Sequence, residues 1–197
     1  MNATAAAAAS RSASKVADAF GPLSAQLAVN DFELFDIAQR FTQDRDALDA
    51  RWKTLQREAH PDKFSAQGTA AQRVAMQWSV RINEAYQRLK DPLRRAAYLC
   101  EIAGAPIDAE NNTAMPAEFL MQQMQWREAL DDATTIDSLE ALHQEVMQAR
   151  ASALDQCQQL IDVTHDFGQA AHQVRALMFV ERFMKDIEAR LDQFDVT

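Results

Sequence analysis

Between Asp44 and Pro92, apolar residues return every three or four positions in two long runs, and the pattern is cut once, at His60-Pro61. Leu48, Trp52, Leu55 and Ala59 make the first run, and Ala71, Val74, Ala75, Trp78, Ile82, Ala85 and Leu89 make the second. Such spacing places one apolar stripe on each of two helices. Asp44 is positioned as the N-cap of the first. Pro61 ends it, because the proline ring disfavours helical geometry at the residue before it. With residues 63–68 as a short loop, the two stripes predict an antiparallel helical hairpin.

The rest of the chain extends this pattern without introducing strands. Asp31–Phe35 reads as a short first element anchored by Phe32, Leu34 and Phe35. Asp91-Pro92 starts a further short helix to Ile102, with Gly104 placed as its C-terminal cap. Residues 105–115 are polar and turn-rich and read as a connector. Pro116 then opens a helix through about Asp132. A third pattern starts at Asp137, with Glu140 three residues on as a capping box, and runs to about Val163. The last helix follows Asp166 and continues to about Phe194. The expected fold class is all-α: a helical hairpin domain at 30–104, then an antiparallel three-helix bundle at 116–197. Residues 1–29 are rich in Ala and Ser and read as a disordered tail, with an organelle presequence as the alternative.

Composition narrows the function. The chain has 4 Gly and 5 Pro in 197 residues, which suits helices joined by short loops. No apolar run approaches the roughly 20 residues that span a bilayer, so a soluble protein without a membrane partner is expected. Residues 1–107 hold 14 Lys/Arg and 12 Asp/Glu, a net of +2; residues 108–197 hold 6 and 17, a net of −11. An acidic half of that size argues against nucleic acid, whose phosphates need clustered positive charge. Cys100 and Cys157 are distant in sequence and read as small core residues. Two such cysteines supply neither a disulfide framework nor the four thiolates of an iron–sulfur cluster. His165 and His172 lack a metal-ligand spacing, so no metal and no cofactor is expected.

Two places stand apart from the core pattern. At the first, His60-Pro61-Asp62 sets an imidazole and a carboxylate on either side of a rigid proline. Catalysis would need a nucleophile or a metal beside the His, and the local polar residues Lys63, Ser65 and Gln67 supply neither. No catalytic residue is assigned, and an enzyme is not expected. Lys53 and Arg57 lie four apart on the side of the first helix opposite its stripe. At the second place, Phe119, Trp126 and Leu130 share the core face of the helix at 116–132. Leu120, Met121 and Met124 form another apolar patch, continued by Glu128 and Asp132. A helix with two apolar faces is either sandwiched in a core or binds something, and composition does not separate the two. On the last helix, Phe179 lies roughly 100° from the centre of the stripe of Leu177, Val180, Phe183, Met184, Ile187, Leu191 and Phe194.

A His-Pro-Asp turn after a Leu48/Trp52/Leu55 helix, followed by Lys63-Phe64 and a long helix ending at Asn83–Pro92, resembles the J-domain family. These are co-chaperones of the seventy-kilodalton heat-shock ATPases. The resemblance implies that His60, Pro61 and Asp62, with Lys53, Arg57 and Lys63, bind such an ATPase and stimulate its ATP hydrolysis. Residues 119–131 and Arg94–Leu99 are similar to the HscB branch of that family, which serves iron–sulfur cluster assembly. By position, that likeness places contacts to an IscU-like scaffold protein on Leu120, Met121, Met124, Gln125, Glu128, Asp132 and Phe179. It implies delivery of the scaffold to an HscA-like chaperone, in a bacterial cytoplasm rather than a mitochondrial matrix. Gln125 and Asp132 stand where the family tends to carry Glu, the aromatic pair of the first element is reduced to Phe32 behind Asp31, and the tail has no counterpart in the compact bacterial members. The competing readings are a general J-domain adaptor presenting unfolded clients to a DnaK-like chaperone, and a purely structural helical protein.

Overall fold

The computed structural model describes residues 29–108 and 115–195, with side chains through residue 193; the expected tail and residues 109–114 of the connector lie outside the described residues. Within them the regular elements are helical, as the fold-class expectation required. They are α1 (Asp31–Phe35), α2 (Arg45–Glu58), α3 (Thr69–Lys90), α4 (Pro92–Ile102), α5 (Ala117–Asp132), α6 (Ile136–Gln158) and α7 (Phe167–Asp195). A 3₁₀ turn at Pro61–Gln67 and a π turn at Gln159–Val163 complete the set.

Residues 29–39 and 43–90 form one compact unit. In it the Asp44 carboxylate accepts the Ala47 N–H at 3.0 Å and starts α2 as its position predicts. The two stripes meet across the hairpin. Leu48, Leu55 and Ala59 are buried on α2, and Ala71, Ala75, Trp78, Ile82, Ala85 and Leu89 on α3. The segment expected as a loop is instead the 3₁₀ turn, with Pro61 in its first turn, Phe64 buried beneath it and Gly68 ending it at φ 94°. Phe32, Leu34 and Phe35 of α1 are buried as expected. Nothing in the local pattern marks Asp31, whose fully buried carboxylate pairs with Arg81 at 2.6 Å and Arg88 at 3.2 Å. This double pairing compensates the desolvation of the carboxylate and ties α1 to α3.

Residues 40–42 and those from Asp91 onward form the second unit. The helix α4, grouped with the hairpin in the 30–104 expectation, packs chiefly on α7. Asp91 caps it by accepting the Arg94 N–H at 2.9 Å. Gly104 closes it at φ 79°, with its N–H on the Glu101 carbonyl and the Ala105 N–H on that of Cys100. This is the left-handed exit for which glycine is favoured. The core of the unit is the α6–α7 hairpin, with α5 added through a cluster of Trp126, Leu142, Val146, Val180, Phe183 and Ile187. Both cysteines are free and buried here, as small core residues.

Two local features depart from the sequence reading. The capping box of α6 is not Asp137 with Glu140. Thr135, two residues earlier, accepts the Ser138 N–H at 3.2 Å, and Ser138 Oγ accepts the Thr135 N–H at 3.3 Å. A hydroxyl at the first position able to reach the free amides starts the helix before Asp137 can. The pattern running to Val163 ends in the π turn, where the Thr164 N–H reaches the Gln159 carbonyl at 3.0 Å. From that turn the Asp162 carboxylate accepts the backbone N–H groups of Phe41 at 2.6 Å and Thr42 at 2.9 Å, which draws residues 40–42 into this unit.

Candidate functional site

The chain turns at His60, whose extended backbone (φ −64°, ψ 126°) ends α2 and passes directly into Pro61. The imidazole Nδ1 accepts the Asp62 N–H at 3.3 Å, and Asp62 Oδ2 lies 3.5 Å from the same nitrogen. Asp62 is 90% exposed and His60 is more than half exposed. The turn therefore holds its backbone through Pro61 and the imidazole, and among the described residues the carboxylate oxygens have no hydrogen bond apart from that contact. A carboxylate presented this way can accept charge-assisted hydrogen bonds from a partner.

What keeps the turn in place is a row of polar contacts between the last two turns of α2 and the middle of α3. Ser79 Oγ donates to the Ala59 carbonyl at 3.1 Å, immediately before the turn. Gln56 Nε2 donates to the Ser79 carbonyl at 3.2 Å and to Asn83 Oδ1 at 2.6 Å, and Trp52 Nε1 donates to the same Asn83 oxygen at 2.9 Å. Trp52 stacks on Tyr86 with ring centroids 4.7 Å apart. The Tyr86 hydroxyl in turn donates to Asp49 at 2.7 Å, and that bond holds the Asp49 carboxyl below its usual range. The polar contacts of Gln56, Ser79, Asn83 and Tyr86 escaped the sequence reading. The signal was present in the spacing: Trp52 and Gln56 are four apart on one helix, and Ser79 and Asn83 four apart on the other.

Lys53, Arg57 and Lys63 are exposed, as expected of a solvated basic side. Arg57 folds along its own helix, donating to the Lys53 carbonyl at 3.3 Å and to Thr54 Oγ1 at 3.2 Å. That arrangement gives the outer side of α2 a fixed positive edge.

In the second unit, the two apolar faces of α5 have separate fates. Trp126 is buried, stacks on Phe183 with centroids 5.8 Å apart and donates from Nε1 to Glu145 at 2.7 Å. Phe119 and Leu130 pack beside it. Leu120, Met121 and Met124 are exposed, Met124 to 72%, and Phe179 of α7 is exposed as well. Phe179 meets the edge of Phe119 at 6.4 Å, which brings it to the α5 side of the unit. Gln125, Glu128 and Asp132 are exposed on the further turns of α5. Of the sandwiched and the binding alternatives, the sandwiched one does not apply within the described residues.

Among the described residues no group of three or more His, Cys, Asp and Glu is placed to hold a metal ion. His165 Nδ1 lies 2.8 Å from the Ile161 carbonyl, and His172 Nδ1 lies 2.6 Å from the Arg175 guanidinium. Burial pushes the thiol of Cys100 up to about 11 and that of Cys157 to about 12, which keeps both protonated and poor ligands at neutral pH. No helix among the described residues is long and apolar enough to cross a membrane.

A helical hairpin bearing an exposed His-Pro-Asp turn, followed by a helical bundle, defines a co-chaperone of the J-domain class. Residues 115–188 match the family model described as the HSCB C-terminal oligomerisation domain. The chain is 47% identical over 167 residues to a co-chaperone protein HscB homologue of Burkholderia mallei, and 44% identical to that of Burkholderia multivorans; each match covers 83% of this chain and 95% of the relative. Chaperone HscB from Vibrio cholerae superposes with a TM-score of 0.73 at 34% identity, covering 84% of this chain and 99% of that one. Human co-chaperone protein HscB superposes at 0.76 with 25% identity, covering 86% and 84%. The chain belongs to the HscB co-chaperone family.

Proposed function

We propose that the chain is a two-ended connector in iron–sulfur protein maturation. Its hairpin end, the J-domain expected at 30–104, docks on an HscA-like heat-shock ATPase through His60, Pro61 and Asp62, with Lys53, Arg57 and Lys63 drawing the partner in. Its second end, at 116–197, holds an IscU-like scaffold protein on Leu120, Met121, Met124, Gln125, Glu128, Asp132 and Phe179. ATP hydrolysis is then carried out by the partner, and this chain alters its rate by binding. The Burkholderia relatives being bacterial, the proposed site of action is the cytoplasm.

The observation that carries the reading is the exposure of Asp62 on a turn braced from behind. Exposed cations beside it speed encounter with an acidic surface, an effect that falls with salt. The apolar flank of α5 supports the other end, since the bundle is anchored by Trp126 while Leu120 and Met124 are left exposed among the described residues.

Asp62→Asn tests the first end. It keeps the side-chain shape and removes the charge, so stimulation of the HscA-like ATPase should disappear while helicity and melting stay nearly unchanged. Full stimulation by a folded Asp62→Asn protein would remove the J-domain role from this turn. Capture of the IscU-like scaffold by the wild type separates the reading from that of a general adaptor for unfolded clients.

A further inference from the structure

The acidic half of the chain has six Lys/Arg residues, and three are already engaged. Arg150 pairs with Glu181 at 2.6 Å, Arg175 is buried against the Ile107 carbonyl, and Arg190 bonds Gln193. Two of the remaining three, Arg127 of α5 and Arg182 of α7, line a single cleft. Its walls include the stacked Trp126 and Phe183, with Phe179 and Asp186 at its sides. Arg127 is 70% exposed and reaches Asp186 only at 4.0 Å. Arg182 is exposed and, among the described residues, has no carboxylate partner.

The place of this cleft on α5 matters. Counting about 100° per residue from Phe119, Arg127 falls at about 80°, Leu120 at about 100° and Met124 at about 140°. Glu128 follows at about 180° and Asp132 at about 220°. The exposed flank thus runs from a basic edge, across the Leu120 and Met124 strip, to an edge where Met121, at about 200°, lies between the two carboxylates. Asp131, at about 120° and one turn further along, is the one carboxylate inside the strip. An apolar strip with opposite charges on its two sides can be occupied by a complementary partner in one orientation and resists the reversed one.

We propose that the Arg127–Arg182 cleft is a carboxylate-binding subsite at the edge of the scaffold-binding face, taking one Asp or Glu side chain of the docked protein. The inference rests on the proposed scaffold-binding role of Leu120, Met124 and Phe179. The cleft has room for a carboxylate group, with about 50 Å³ open to a water-sized sphere. Guanidinium groups match a carboxylate in plane and in spacing, and the indole and phenyl walls exclude water from one side of the pair. Asp186 offsets one of the two positive charges; a partner carboxylate placed between both arginines gains a closer contact than the 4.0 Å approach that Asp186 makes.

The test compares three full-length variants for binding to the IscU-like scaffold by calorimetry, at low and at near-physiological salt. Arg127→Gln/Arg182→Gln should weaken binding roughly tenfold and flatten its salt dependence. Arg127→Lys/Arg182→Lys keeps the charge and loses the planar fork, so it should keep the salt dependence and lose part of the affinity. Leu120→Ala/Met124→Ala/Phe179→Ala should abolish binding. If the apolar triple variant loses binding while the Gln pair stays within about twofold of wild type at both salts, the carboxylate subsite is overturned and the scaffold face stands. If the triple variant binds as wild type does, the scaffold face is overturned and the subsite with it. All five substituted positions are exposed, and the melting curve of each variant verifies that it is folded.

Discussion

The His-Pro-Asp turn and the outer flank of α5 are both exposed, yet they are prepared for contact in opposite ways. The turn is small, polar and held from behind by Ser79, Gln56 and Asn83, so its geometry is set before any partner arrives. The α5 flank is wide and apolar, its long methionine side chains able to rearrange, and it is fixed only through the opposite face of its own helix. A preformed polar turn suits a partner that must be recognised in one geometry and released. A broad flank of Leu and Met suits a larger contact whose affinity comes from apolar burial. In the proposed function the turn meets the ATPase and the flank meets the scaffold.

Stability measurements sharpen this contrast first, because the largest effects should fall behind the two surfaces and not on them. Asp31→Ala leaves Arg81 and Arg88 facing an emptied buried site and should cost about 3–5 kcal/mol by urea unfolding. Trp126→Ala should cost a similar amount, about 3–5 kcal/mol, by opening a cavity between α5 and the α6–α7 hairpin. Met124→Ala, on the same helix as Trp126, should stay within about 0.5 kcal/mol of wild type. A large loss from Met124→Ala would place that side chain in the fold and break the distinction between the two faces of α5.

Behind the turn, Asn83→Ala strands two donors, Trp52 Nε1 and Gln56 Nε2, and should cost about 1–3 kcal/mol. Stimulation of the ATPase should weaken with it, since the brace is what fixes the turn. Unaltered stimulation would mean that the turn is shaped by the partner. Lys53→Gln/Arg57→Gln should leave stability nearly unchanged and slow association with the ATPase several-fold at low salt, an effect measurable by stopped flow.

A further expected effect concerns pH. In the folded chain burial raises both thiols, to about 11 and about 12, whereas in the unfolded chain they ionise near 8.5. The stability from keeping them neutral is complete below about pH 8.5 and is lost as pH rises from there toward the folded values. The second unit should therefore weaken by about 1 kcal/mol per thiol between pH 9 and pH 10. A Cys100→Ala/Cys157→Ala protein should show a flatter dependence, read from urea midpoints.

The hairpin was legible in the sequence because helical periodicity, an Asp N-cap and a helix-ending proline act locally and agree. The stripe from Ala71 to Leu89 and the cap at Asp44 follow from short-range physics alone. The exposed flank of α5 was half legible: spacing showed that Leu120, Met121 and Met124 lay off the core face, while their exposure depended on how many helices pack around α5. Asp31 was illegible, since a buried carboxylate looks like any surface acid until Arg81 and Arg88 are brought to it from 50 and 57 positions away. The π turn at Gln159–Val163 was hidden for a related reason, because one extra residue in a helical turn barely disturbs an apolar pattern. The packing of α4 with α7 is likewise a tertiary fact that no local pattern announces.

The central claim is that one chain connects two partners, and a bridging assay tests it most directly. With the HscA-like ATPase immobilised, capture of the IscU-like scaffold is measured in the presence of the wild-type chain, of Asp62→Asn, of Leu120→Ala/Met124→Ala/Phe179→Ala, and of an equal mixture of the two variants. The account predicts that the wild type raises capture, that each variant fails to do so, and that the mixture fails as well, since each molecule then carries one working end. Capture restored to the wild-type level by the mixture, or retained by either folded variant alone, would contradict it.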